Sequence, residues 1–128
     1  IMKLIILVLA FIMTTIPSCS DSELKYGAND SKISGNLICG KRSHPNGQDF
    51  EFCAVKLDHP VSIAAEEDNP YNPAESGVTE VQVVSNDEKI FQSLKEKQNS
   101  LVTVTGEIFH ESTAWHVRTL VMDVQEIK

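Results

Sequence analysis

The chain has 128 residues, with 18 acidic side chains against 11 basic ones and a formal net charge of −7. That length supports a single small domain. The charge repels phosphate backbones, which argues against nucleic acid as a partner; the acidity reads first as a solubility trait, with a basic partner surface as the alternative.

The amino end reads as an export signal. Lys3 precedes an unbroken apolar run from Leu4 to Met13, followed by Thr14-Thr15-Ile16-Pro17-Ser18-Cys19-Ser20. A membrane span needs about 20 apolar residues, and this run is too short for one. Ile16-Pro17-Ser18-Cys19 resembles a bacterial lipobox. That resemblance implies a signal peptide over 1–18, with Cys19 as the lipidated first mature residue and membrane attachment through it. Ser20 after the cysteine implies an outer-membrane destination facing the periplasm. The competing reading is ordinary cleavage after Ser20, which gives a soluble periplasmic or secreted protein. Removing a leader whose one charge is Lys3 leaves −8. The polar residues of 19–32 lack apolar periodicity and read as a flexible tether, so the folded domain is expected over 33–128.

Cys39 and Cys53 are equidistant from Asn46, within the hairpin-turn signal His44-Pro45-Asn46-Gly47. A hairpin centred there sets the two cysteines opposite each other on one face, where they form a disulfide in an oxidising compartment. Such a bond, closing a loop near fifteen residues, contributes about 3 kcal/mol. A metal pair or redox centre is the alternative, but no C-x-x-C spacing favours either.

Strands are expected over 33–40 and 50–57, with His59-Pro60 ending or kinking the second and 61–63 as a short continuation. Residues 65–77, with two Asn-Pro dipeptides among charges, read as a long exposed loop. A third strand follows over 78–84. Ser85 and Glu88 fit a capping box for a helix running to about residue 97, with Ile90, Phe91 and Leu94 at helical spacing. Residues 101–109 alternate cleanly. The last strand, 115–127, loses its phase at Leu120-Val121-Met122, which predicts a bulge or burial on both sides.

Strand, strand, strand, helix, strand, strand is the connectivity of an OB-fold. The expected fold is therefore mainly β, a small five-stranded barrel with one helix between the third and fourth strands. Gly35 and Gly106 are expected where strands coil sharply. An open sheet packed on one helix is the competitor.

Three segments carry a family resemblance: residues 78–84 (Val-Thr-Glu-Val-Gln-Val-Val), 102–110 (Val-Thr-Val-Thr-Gly-Glu-Ile-Phe-His) and 113–117 (Thr-Ala-Trp-His-Val). From Thr79 onward the chain resembles a bacterial family of secreted proteins with a domain of unknown function, number 4431. Gln82, Gly106, Phe109, Thr113 and His116 match its pattern in place. The chain departs from the pattern at the turn, where Ala114 replaces a glycine and Trp115 and Val117 replace histidines. The resemblance implies no activity, and a metal role for the family's histidine cluster does not carry over when only His116 remains.

His110-Glu111 opens like a zinc-protease motif, but Ala114 stands where the second histidine belongs. His110, Glu111 and His116 flank one turn and are the candidate donors for a divalent metal, with surface or capping roles as the plain alternative. No nucleophile–base pair or Gly-rich phosphate loop is visible, so neither an enzyme nor a cofactor is expected. Glu66 and Glu67 belong to the acidic loop, and Tyr71 near its tip is a candidate anchor for a protein partner. Trp115 is a core or rim aromatic, or a partner-binding one that stacks on a sugar or peptide. The leading expectation is a non-enzymatic envelope protein that engages another protein, in the manner of an inhibitor or immunity protein. The alternative is a metal- or small-ligand-binding envelope module using His110, Glu111 and His116.

Overall fold

A computed structural model describes residues 22–128; the expected leader and Cys19 lie outside the described residues. Its elements are β1 (Ser22–Leu24), β2 (Ser31–Ser43), β3 (Asp49–Ile63), β4 (Glu75–Val84), α1 (Glu88–Glu96), β5 (Leu101–His110) and β6 (Leu120–Ile127). Antiparallel pairing joins β2 to β3, β3 to β4, β5 to β6 and β2 to β5, and β4 pairs parallel with β6. These five strands close on themselves, which is the expected OB-type barrel with α1 between its third and fourth strands.

Alternation drives the closure. Leu37, Cys53, Val55, Val81, Val83, Val104, Ile108 and Met122 all point inward and are buried. Two glycines make the tight curvature possible. A Cβ at Gly35 would lie 2.0 Å from the Lys56 carbonyl oxygen, and one at Gly106 would lie 2.0 Å from that of Asp123. Only a residue without a side chain lets the backbones pass so closely. At the hairpin, Cys39 and Cys53 are register partners and are disulfide-bonded, with Cα atoms 4.1 Å apart. Leu94 of α1 is fully buried and joins the core cluster.

Several local expectations are corrected. Residues 22–32 are not a tether. Ser22–Leu24 pairs parallel with Val61–Ile63, Leu24 is buried, and Tyr26 bridges to Ile108 and donates to the Pro73 carbonyl at 2.7 Å. One leucine and one tyrosine anchor this segment, too few to create a periodic pattern. The strand through His59-Pro60 continues to Ile63 by shifting register between Lys56 and Val61, with the dipeptide on the exposed side. The helix is capped by Asp87, whose carboxylate accepts from the Lys89 amide at 2.9 Å. Ser85 instead accepts from the Asp87 amide and shapes the turn before the cap. At Leu120-Val121-Met122 the lost phase marks burial on both sides, and the bulge falls farther along β6, where Gln125 is the extra residue between the Gly106–Val124 and Thr105–Glu126 pairs.

Candidate functional site

Two loops meet over the outer surface of the barrel. The first is the β2–β3 turn, in which His44 donates its amide to the Gln48 carbonyl (2.7 Å) and Gly47 sits at φ +88°. The Asn46 amide donates to His44 Nδ1 at 3.1 Å, which fixes the imidazole. Trp115 of the β5–β6 loop stacks on that ring, with centroids 4.0 Å apart, and meets the edge of Phe50 at 5.0 Å. Its side chain is still 39 % exposed, so one face of the indole is supported and part of it is open to solvent.

Residues 111–119 form a strap held against β4. Gln82 is the one buried polar residue among those described, wedged between Val81 and Val83 on the outward side. Its amide donates to the Trp115 carbonyl (3.1 Å) and accepts from the Val117 amide (2.6 Å). Both polar ends of a buried group are thereby satisfied, and the strap is pinned on either side of His116. Arg118 adds an ion pair with Glu80 and a hydrogen bond to the Val117 carbonyl.

The histidines serve these loops. His116 Nδ1 accepts from the Ser112 and Thr113 amides at 2.9 and 3.2 Å, and its ring meets Phe109 edge-on. Burial lowers the His116 pKa, opposed by nearby Glu111. The lowered pKa favours the neutral ring, the form whose Nδ1 can accept. His110 Nε2 lies 3.0 Å from Glu75 Oε1, and its Nδ1 lies 3.2 Å from the Glu111 carbonyl. Among the described residues no three His, Cys, Asp or Glu side chains converge as a metal set. His110 ends β5 and faces Glu75, whereas His116, in the loop that follows, faces the Ser112 and Thr113 amides.

Tyr71, Glu66 and Glu67 lie elsewhere. Their loop follows the end of β3, whereas Trp115 contacts its beginning. The loop is structured by side-chain amides: Glu66 accepts from Asn69 and Asn72, and Asn72 Oδ1 accepts from the His110 amide. Tyr26 is pushed up to about 12 by burial and by Glu75 and Glu66, so its hydroxyl keeps the proton it donates to Pro73. Glu67 is exposed, and the Tyr71 ring is 80 % exposed. The candidate anchors therefore do not form one site.

Sequence reasoning missed Gln82 as a clamp and missed His44 and Phe50 as neighbours of Trp115, with Arg42 opposite Phe50 in the register. The hairpin signal carried part of this information, because it pairs position 42 with 50 across the strands. Nothing in the pattern placed the strap on that face.

The fold and its loop-covered outer surface define a small closed barrel of OB type. Residues 80–128 match a family model described as a domain of unknown function, DUF4431. That stretch contains Gln82, Thr113 and His116, so three residues that carry the resemblance are the ones that build the strap. Thr113 takes part through its Oγ1, which accepts from the Trp115 amide. No curated protein matches the chain.

Proposed function

We propose that this is an exported, lipid-anchored cell-envelope protein without catalytic activity. In this reading it engages another protein, in the manner of an inhibitor or immunity protein. The observation that carries the reading is Trp115: a large aromatic, supported by His44 and Phe50 and partly open to solvent. Held aromatics at a rim are the residues that dominate protein interfaces, because little side-chain freedom is lost on binding. In OB barrels, the loops joining the first two and the last two strands flank the ligand face, and His44 and Trp115 lie on those loops. Export is supported by the short apolar run after Lys3 and by the Cys39–Cys53 disulfide, a bond that persists in oxidising compartments. The histidines that chemistry would need already hold Glu75 and backbone amides, which supports a binding role over a catalytic one.

Pull-down from an envelope extract, with mass spectrometry, tests this. The expected result is a protein retained by the wild type and by Tyr71→Ala but lost with Trp115→Ala. Equal capture by Trp115→Ala removes this surface from the reading. Mass spectrometry of the processed amino terminus tests the anchor, with diacylglyceryl-modified Cys19 expected.

A further inference from the structure

The two faces of the β2–β3 hairpin differ in charge. Residues two apart share a strand face, so Gly40 and Arg42 lie on the outer side with Phe50 and Phe52, where Trp115 rests. Asp49 and Glu51 fall on the opposite side. There Glu51 pairs with Lys95 at 3.0 Å, and Asp49 accepts from the Ser43 hydroxyl at 2.7 Å. Beside the turn, the outer side of the hairpin thus carries one cation, Arg42, and no carboxylate.

That cation has no matching charge. Arg42 is exposed, lies opposite Phe50 in the register, and holds its guanidinium 5.7 Å from the centroid of Phe52. Arg118 approaches the same ring at 5.5 Å, but Glu80 neutralises it. Among the described residues Arg42 makes no ion pair, in a chain of net charge −7. Gly40 has no side chain, and a Cβ there would lie 3.1 Å from the Phe52 ring. The ring therefore lies low against the strand with the arginine above it.

Resting on the protein-binding reading, we propose that this face receives an acidic segment of the partner. One carboxylate is taken by Arg42, and a neighbouring apolar or aromatic side chain packs on Trp115 and Phe50. The guanidinium fork matches a carboxylate in two parallel hydrogen bonds, and the flanking aromatics partly exclude water and strengthen the pair.

The test is an array of randomised hexapeptides probed with the purified protein, followed by calorimetry on selected peptides. Bound sequences are expected to be enriched in aspartate and glutamate beside aliphatic or aromatic residues. Arg42→Gln is expected to abolish that enrichment and weaken the selected peptides about tenfold, with its circular dichroism unchanged. Bound peptides without acidic enrichment, no bound peptide, or equal affinity in Arg42→Gln each overturn the inference. So does binding of chitohexaose in place of peptides. If the acidic preference fails while Trp115-dependent capture from extract persists, the protein-binding reading stands and only this chemistry falls. Loss of both removes the reading as well.

Discussion

Trp115 and Tyr71 both sit on loops between strands, yet the molecule treats them differently. The Trp115 ring lies on His44 and Phe50, and the backbone on either side of His116 is clamped by Gln82. Tyr71 is fixed only through its amide, which donates to Asn69 Oδ1, and its ring stands 80 % exposed. An indole already held in place loses little freedom when a partner arrives, whereas a free phenol must first be ordered. Exposure identifies both aromatics, but preorganisation separates them, and it comes from residues distant in sequence.

The largest change to this contrast comes from removing the bond between the hairpin arms. Cys39→Ala with Cys53→Ala is expected to cost about 3 kcal/mol in urea unfolding, because the bond closes a loop with a separation of 14 residues. A thiol assay on unreduced, denatured wild type should find neither cysteine reactive. Gln82→Ala comes next. It strips the strap of two hydrogen bonds and leaves the Val117 amide without its acceptor, at about 2 kcal/mol. The fluorescence of Trp115, the only tryptophan, should move to longer wavelength; an unchanged spectrum would mean that the strap holds without the clamp.

The pH response is a smaller effect, because the His116 ring is only partly buried and solvent screens its charge. His116 has a lowered pKa in the folded state, so the unfolded chain binds the extra proton first as acid is added. Stability is therefore full above about 6.5 and declines as pH falls below it, levelling off once the folded form is protonated too. His116→Gln should flatten this part of the curve, measured by thermal unfolding between pH 5 and 8. The smallest effect is Tyr71→Ala, expected to change stability by less than about 0.5 kcal/mol, since its ring has little to pack against. A larger loss would show that the acidic loop depends on that ring and would narrow the contrast with Trp115.

Much of the barrel was legible in the chain. The alternation at Val102, Val104, Gly106 and Ile108 marked β5, and the symmetry of Cys39 and Cys53 about Asn46 set the hairpin register, because side chains alternate with a period of two. Legibility failed where isolated contacts replace a pattern. Besides its pairing with β3, the segment around β1 is anchored by Leu24 and Tyr26, and a polar stretch with two anchors looks like a tether. The cap moved from Ser85 to Asp87 because both residues are competent acceptors, and only the direction of the incoming strand chooses between them. His110 and His116 looked like a donor pair by proximity in sequence, but Glu75 and the Ser112 and Thr113 amides claim them.

Local periodicity and turn chemistry suffice for the five barrel strands, the helix, the hairpin and the disulfide, since each depends on residues close together or symmetric about a turn. The strap over β4, the support behind Trp115 and the isolation of Arg42 arise only when the barrel closes. Closure brings positions 42, 50, 82 and 115 onto one surface, and no short-range signal encodes which side of a sheet a distant loop will cover.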